Sequence, residues 1–194
     1  FITPNSERTM GTYLGASEML EFSMDFMDVV NNSKILFTEG YQFTSDQNFK
    51  AFLSVLENTD PNVQLALSLS DPFVVSNFKS RFEDVFSKRI VDYVFCNKEE
   101  AIAMAGENFV EGLGRISKNF VVTDGANSSV ISEEGSISEI EAHAVKAIDS
   151  NGAGDIYAGS VLHKIVQGKN FRKACEFGNF ASSIIVQEKS PRLS

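Results

Sequence analysis

The residues best suited to chemistry lie in one short stretch, Asp149-Ser150-Asn151-Gly152-Ala153-Gly154-Asp155. Apolar residues follow it at helical spacing, so the stretch should form the start of a helix. The first N–H groups of a helix have no partner inside it, and the helix dipole makes that end positive. Gly152 and Gly154 would let an anion approach these groups closely. Asp155 would place a carboxylate beside that anion, which suits a base in phosphoryl transfer to a hydroxyl.

A purely structural interpretation of the same stretch stays open. An aspartate in the first turn of a helix is favoured by the dipole, and glycine-rich turns before helices are common. Two other phosphate-binding loops are excluded. No Gly-Lys-Ser/Thr sequence is present to form a Walker loop, and Tyr157 stands where a dinucleotide fingerprint requires its third small residue.

Three further positions carry polar residues at the ends of predicted strands or within a predicted apolar helix. Asn97 follows a predicted strand and lies three residues before Glu100, a spacing that predicts a capping box at the start of a helix. Thr123 ends another predicted strand and precedes a turn at Gly125. Asn179 lies within a predicted helix of largely apolar residues, where a buried amide needs a hydrogen-bond partner.

Composition limits the classes of partner. The 194 residues are 43% hydrophobic, enough for one sizeable domain, and the net charge is -9. This charge argues against binding to nucleic acid or to anionic membranes. Cys96 and Cys175 lie in apolar surroundings and suggest buried thiols in a reducing compartment, so we expect a cytoplasmic protein. No apolar run reaches the length of a membrane span, and no signal peptide is visible.

Strands alternate with helices along the chain, which predicts a single α/β domain with a mostly parallel sheet. Strands are predicted over 8–16, 34–38, 63–69, 93–96 and 120–123, with a hairpin formed by 130–132 and 136–140; helices are predicted over 22–31, 45–58, 74–88, 98–105, 108–117, 156–166 and 171–186. Ligands of such sheets bind beyond the carboxyl ends of strands. Asn97, Thr123 and Asp149 each follow a predicted strand, so we expect them to converge on one edge.

The stretch from Asp149 to Asp155 resembles the D-S/T-x-G-A-G-D signature of the ribokinase/PfkB family of carbohydrate and nucleoside kinases. Residues 7–16 resemble the E-R-T-M-x-T-x-L-G-A stretch of its adenosine-kinase-like branch, which favours a nucleoside or related sugar as acceptor. The resemblance covers nearly the whole chain but only the later part of a family member. Because the chain begins at Phe1 and not at Met, we expect a fragment or a processed chain.

The resemblance implies a three-layer ribokinase-like fold, with helices flanking a mostly parallel central sheet and a β-hairpin in the C-terminal half. The N-terminal substrate-binding part and the lid would be missing. Residues 1–194 would then form one partial nucleotide-binding kinase domain.

The resemblance also assigns roles to individual residues. Asp155 would be the catalytic base, and the amides of Gly152, Ala153 and Gly154 would stabilise charge on the transferred group. Asn97 and Glu100 would handle Mg²⁺, through water at Glu100, and the nucleotide phosphates. Further predicted nucleotide-binding residues are Thr123, Gly125 and Asn179, and the carbonyls near Asp149 and Asn151 are candidates for a monovalent cation such as K⁺. The motif at 190–193, Ser-Pro-Arg-Leu, has Ser where the family closure has Gly, so the cation stays open.

The function predicted from the sequence is transfer of the γ-phosphate of ATP to a hydroxyl of a sugar or nucleoside, with Mg²⁺. A homodimer of the full-length protein is left open, and no nucleic-acid or membrane partner is expected. One alternative is a non-catalytic nucleotide-binding fragment or pseudokinase of the same fold. Another is a Rossmann-like oxidoreductase or binding module, which the missing dinucleotide fingerprint disfavours.

Overall fold

The computed structural model describes residues 12–189, which divide into two compact units. The first unit is Tyr13–Phe120, and residues 121–189 belong to the second. Residues 8–11 of the strand predicted over 8–16 and the whole Ser-Pro-Arg-Leu motif at 190–193 lie outside the described residues. In the described part of the predicted strand, residues 12–14 are irregular, and a 3-10 turn follows at Gly15–Glu18, where Gly15 has a φ of 55°. The prediction of a strand is therefore wrong for residues 12–16.

In the first unit, helices and strands alternate almost throughout. They are α1 (Met24–Asn31), β1 (Ile35–Glu39), α2 (Asp46–Asn58), β2 (Gln64–Ser68), α3 (Pro72–Lys88), β3 (Val91–Asn97), α4 (Lys98–Ala105) and α5 (Phe109–Ile116). The next strand, β4 (Ser117–Thr123), contains the division between the units. The second unit continues with β5 (Ser129–Glu133), β6 (Ser136–Ile140), α6 (Ala153–Val166) and α7 (Phe171–Ile185).

The strands form a six-stranded sheet in sequence order, β1 to β6. The pairs β1–β2 and β2–β3 are parallel, with Leu36 opposite Leu65 and Ala66 opposite Tyr93. The pair β5–β6 is antiparallel and forms the predicted hairpin. Its turn places Glu134 and Gly135 at positive φ, 49° and 84°, as a tight hairpin turn requires. The α/β class and the mostly parallel sheet are thus confirmed.

Aromatic side chains dominate the core of the first unit. Phe43 and Phe82 are fully buried, and their ring centroids lie 4.8 Å apart in an edge-to-face arrangement. Phe49 and Phe52 of α2 contact Phe43 with centroid distances of 5.5 and 5.3 Å. This cluster packs α2 against the rest of its unit by burying large apolar areas.

A buried aspartate at the start of β3 ties together three strands of the first unit. Asp92 is only 4% exposed, and its carboxylate accepts hydrogen bonds from the Leu65 N–H of β2 at 2.8 Å and from Lys118 Nζ of β4 at 2.7 Å. Its backbone carbonyl accepts one from Asn119 Nδ2 at 3.0 Å. These bonds satisfy the buried charge and help to hold β3, whose other end carries Asn97.

Candidate functional site

Helix α6 of the second unit begins without a side-chain cap. The residue before its first turn is Gly152, whose φ of 77° and ψ of 1° lie in the left-handed region that glycine adopts at little cost. Among the residues that the structure describes, no side chain accepts a hydrogen bond from the first turn. Ser, Thr, Asp or Asn usually occupies this position and satisfies one of the free N–H groups. The sequence therefore leaves the N-terminal donors of α6 open.

The backbone amides at this end differ in how far they are engaged. The Ala153 N–H donates to the Ser150 carbonyl at 3.2 Å, and the first regular helical bond runs from the Ile156 N–H to the Gly152 carbonyl at 2.9 Å. Within residues 12–189, no acceptor contacts the amides of Gly154 and Asp155. Of the predicted donors, the Ala153 N–H is thus engaged within the turn, whereas the Gly154 N–H has no acceptor among the described residues. The same is true of the Asp155 N–H.

The space beside the Gly154 Cα is open. A Cβ atom added there would meet no atom of the described residues within 4 Å, so packing among those residues does not require the glycine. Asp155 is exposed and makes no hydrogen bond or ion pair with the described part of the chain. A free carboxylate beside two free N–H groups is the arrangement that the sequence predicted for a base next to a bound anion.

The loop before α6 is held by its own side chain and by α7. Asp149 is buried, and its Oδ1 accepts a hydrogen bond from the Asn151 N–H at 2.9 Å. The N–H groups of Ile148 and Asp149 both donate to the Val186 carbonyl, at 2.7 and 3.2 Å. The prediction that Asp149 directly follows a strand is wrong. The preceding strand, β6, ends at Ile140, and the backbone before Asp149 bonds to the end of α7 instead of to a neighbouring strand.

Asn179 of α7 finds the partners that its burial requires. Its Oδ1 accepts a hydrogen bond from Ser129 Oγ at 3.3 Å, and its Nδ2 donates to the Glu141 carbonyl at 3.1 Å. The amide therefore links α7 to the beginning of β5 and to the end of the hairpin. A contact of Asn179 with a nucleotide stays a prediction.

A cleft of about 640 Å³ opens beside this hairpin in the second unit. It is lined by Asp124, Ala126, Asn127, Ser128, Val130, Glu139, Glu141 and Ala142. Its lining begins one residue after Thr123, and Gly125 adopts a positive φ of 56° in the turn between β4 and β5. Three carboxylates in the lining can accept hydrogen bonds from hydroxyl groups but would repel phosphates.

In the first unit, Asn97 and Glu100 form the predicted capping box at the start of α4. Asn97 Oδ1 accepts from the Glu100 N–H at 2.9 Å. In return, the Glu100 carboxylate accepts from the Asn97 N–H at 3.0 Å and from Asn97 Nδ2 at 2.8 Å. Each residue thus satisfies donors of the other, and the structural role proposed for this pair is confirmed.

The Glu100 carboxyl has an altered acidity because it is buried, with only 6% of the residue exposed. Its pKa is raised to about 7, mainly by burial and to a smaller extent by the nearby charges of Asp71 and Glu99, while the hydrogen bond from the Asn97 N–H opposes the shift. Within the described ranges, no cluster of three His, Cys, Asp or Glu residues could hold a metal ion. Mg²⁺ usually keeps several of its water ligands. The oxygens of Asn97 and Glu100 therefore fit an Mg²⁺ ion held largely through water better than one held by a full set of protein ligands.

The structure brings several predicted residues together within the second unit. Gly152, Ala153, Gly154 and Asp155 share the start of α6, and Asp149 and Asn151 form the loop that leads into it. Asn97 and Glu100 belong to the first unit, so convergence of all the motifs on one edge stays a prediction. No described helix combines the length and the apolar character needed to cross a membrane.

Comparison with known proteins gives a consistent family match. The family model described as pfkB family carbohydrate kinase matches residues 1–194. Adenosine kinase 1 of Arabidopsis thaliana is 29% identical over 147 residues, which cover 65% of this chain and 42% of that protein. The adenosine kinase of Schizosaccharomyces pombe is 24% identical over 200 residues, covering 91% of this chain and 58% of that protein.

Solved structures agree with these sequence matches. The adenosine kinase from Sinorhizobium meliloti superposes with a TM-score of 0.91 at 30% identity, covering 100% of this chain and 61% of that one. A probable sugar kinase protein from Rhizobium etli CFN 42 gives a TM-score of 0.90 at 30% identity, covering 99% and 60%. The chain therefore spans between two fifths and about three fifths of the length of these relatives.

Proposed function

The chain belongs to the pfkB family of carbohydrate kinases, and from this premise we propose that it carries the phosphoryl-transfer part of an ATP-dependent kinase acting on a hydroxyl of a sugar or nucleoside. The observation that carries the proposal is the open start of α6, where the exposed Asp155 carboxylate stands beside the free amides of Gly154 and Asp155. The adenosine kinases among its relatives make a ribonucleoside our first choice of acceptor. A simple sugar is the second choice, in line with the relative from Rhizobium etli.

The proposed reaction needs one base and several donors. The acceptor hydroxyl oxygen bonds to the γ-phosphorus of ATP, the bond from that phosphorus to the bridging oxygen breaks, and ADP leaves. Asp155 accepts the hydroxyl proton. The amides of Gly154 and Asp155, together with those of Gly152 and Ala153, donate hydrogen bonds to the transferred group. Donors of this kind act mainly in the transition state, where each is worth about 3 kcal/mol.

The remaining predicted residues would bind the nucleotide and ions. We assign Thr123, Gly125 and Asn179 to the nucleotide site, where the adjoining polar cleft suits hydroxyl groups better than phosphates. Asn97 and Glu100 would hold Mg²⁺ through water, and the ion would supply positive charge to the phosphates. A monovalent cation on carbonyls near Asp149 and Asn151 stays a prediction. Two free, buried cysteines support a reducing compartment, and we propose the cytoplasm.

The decisive variant is Asp155→Asn. It keeps the shape of the side chain but removes the base, so turnover with Mg-ATP and a panel of ribosides should fall at least about 100-fold. Binding of Mg-ATP, measured by calorimetry, should remain. Asp25→Asn is a matched control because Asp25 is also an exposed acid in the first turn of a helix, α1. Asp25→Asn should lose the same kind of favourable interaction with a helix dipole, but turnover should stay unchanged.

Two results would contradict the proposal. Loss of ATP binding together with turnover in Asp155→Asn would show that the carboxylate supports binding and is not the base. Binding of NAD in preference to Mg-ATP by the unmodified chain would favour a dinucleotide-binding module instead.

A second function, nucleotide binding without catalysis, is favoured by one observation. The chain spans only 61% of the Sinorhizobium meliloti adenosine kinase, so the relatives contain a large part that has no counterpart in it. Under this alternative, calorimetry would detect Mg-ATP binding while no riboside or sugar in the panel was phosphorylated. Transfer by the chain itself would exclude it.

A further inference from the structure

Helix α7 contacts the start of α6 through one stripe of residues spaced four apart. Residues at this spacing lie on the same face of a helix. Gly178 faces Tyr157 and Val161; a Cβ atom added there would lie 3.2 Å from the Tyr157 ring and 2.8 Å from Val161 Cγ2. Four residues later, Ser182 contacts Ala153, and four residues after that, the Val186 carbonyl binds Ile148 and Asp149. The two helices therefore run antiparallel, and the stripe ends at the proposed phosphate loop.

Within this stripe, the contact of Ser182 is distinctive because of the atom that it reaches. Ser182 Oγ donates a hydrogen bond to the Ala153 carbonyl oxygen at 3.0 Å. That carbonyl and the Gly154 N–H belong to the same peptide group, which is planar and trans. Fixing the direction of the oxygen therefore fixes the direction of the N–H on the opposite side. A donor on the carbonyl also polarises the peptide and makes its N–H a stronger donor.

We infer that Ser182 is a positioning residue for the proposed reaction, which aims the Gly154 amide at the transferred phosphoryl group and strengthens it as a donor. The inference rests on the proposed function of the α6 start. Ser182 is half-buried on α7 and acts only through the Ala153–Gly154 peptide. Gly154 has no other support from a side chain within residues 12–189, since no side-chain cap is present at this end of α6.

The neighbouring serine provides a matched control. Ser183 Oγ donates to the Phe180 carbonyl at 2.7 Å, which lies within α7 itself. Ser182→Ala and Ser183→Ala thus remove the same hydroxyl from adjacent positions of one helix, but only the first removes a bond to α6. Ser182→Thr retains a hydroxyl and should restore the behaviour of the unmodified chain.

The first measurement is the amide NMR signal of Gly154 with and without Mg-ATP. We expect Ser182→Ala to shift this signal in the free protein and to reduce its response to Mg-ATP, whereas Ser183→Ala leaves both unchanged. The second measurement is turnover with Mg-ATP and a riboside. We expect kcat to fall about tenfold in Ser182→Ala with KM for ATP changed less than about twofold, a smaller loss than removal of a whole donor causes.

The outcomes separate this inference from the proposed function. An identical Gly154 signal and Mg-ATP response in the two alanine variants would overturn the role of Ser182 and leave the role of Asp155 intact. Failure of Ser182→Thr to restore the signal would also overturn it. If Gly154 of the unmodified chain did not respond to Mg-ATP, the proposed function would fall, and the role of Ser182 with it.

Discussion

The starts of α4 and α6 carry the same kinds of group but use them in opposite ways. At α4, Asn97 and Glu100 exchange hydrogen bonds, and the acid is buried. At α6, Gly152 provides no side chain, two amides find no acceptor among residues 12–189, and the acid, Asp155, is exposed. At α4 the Glu100 N–H is therefore satisfied by the protein itself, whereas at α6 the described residues leave the Gly154 and Asp155 N–H groups for a ligand.

The comparison shows how the residue before the first turn can set the state of a helix start. Asn97 supplies an acceptor and closes the start of α4, whereas Gly152 in the left-handed region leaves the start of α6 open. With Gly at this position, the open end loses about a few tenths of a kcal/mol relative to a Ser, Thr, Asp or Asn cap. Proteins often accept such a loss where function needs it. The following predictions test whether the two ends differ as described.

The largest expected effect is the pH dependence that Glu100 gives to stability. Its pKa lies near 4.5 in the unfolded chain and about 7 in the folded protein. Between these values the folded state holds a proton that the unfolded state has lost, so the contribution of Glu100 to stability is fully present below the unfolded pKa and is lost as pH rises towards 7. The loss should be about 3 kcal/mol. Glu100→Gln should abolish this dependence in urea unfolding measured across that range.

Glu111→Gln is the control for this measurement because Glu111 lies in the first turn of α5 and is exposed. The free energy of unfolding of Glu111→Gln should depend on pH in the same way as that of the unmodified chain. If the free energy of unfolding of Glu100→Gln depended on pH as that of the unmodified chain does, Glu100 would not be an uncharged acid at the start of α4.

The next effect concerns the cap itself. Asn97→Ala removes the acceptor for the Glu100 N–H and the side-chain donor to its carboxylate, so the free energy of unfolding should fall by about 2 kcal/mol. Asn108 precedes α5 without capping it and contacts Glu111 through an exposed side-chain bond of 2.6 Å. Asn108→Ala should change stability by less than about 0.5 kcal/mol. Similar losses in the free energy of unfolding of Asn97→Ala and Asn108→Ala would show that the capping box at α4 contributes no more than an exposed side-chain contact.

The smallest effect on stability comes with a separate effect on activity. Gly154→Ala should raise the free energy of unfolding by about 0.5 kcal/mol, since Ala is the better helix former and its Cβ meets open space. The same Cβ would obstruct the approach of a phosphate, so turnover should fall. Gly159→Ala, at an equally open position of α6, should stabilise without loss of turnover. Equal turnover in both variants would argue against ligand binding at the open end.

Local signals made most of the fold predictable. The predicted cap at Asn97 and the apolar spacing of the helices gave helix bounds within about three residues of the observed ones. The hairpin followed from its turn residues, Glu134 and Gly135. Periodicity, capping and turn chemistry depend on neighbouring residues, so they can be recognised without knowledge of the fold.

Contacts between distant residues explain what could not be predicted. The N–H groups of Ile148 and Asp149 donate to the Val186 carbonyl and not to a neighbouring strand. No local sequence pattern indicates these hydrogen bonds. Ser182 lies 29 residues from Ala153, so its hydroxyl could not be assigned to the phosphate loop from the sequence. Likewise, the need of Asn179 for a partner was predictable, but Ser129 and the Glu141 carbonyl were not.

The two cysteines have a practical consequence for experiments on both helix starts. Cys175 is fully buried and Cys96 nearly so, and burial raises the pKa of Cys175 to about 12 and that of Cys96 well above its usual value. Thiols of this kind react slowly with maleimides because little thiolate forms. A fluorophore or spin label attached to a cysteine introduced on an exposed surface would therefore report from that position alone, without removal of the native pair.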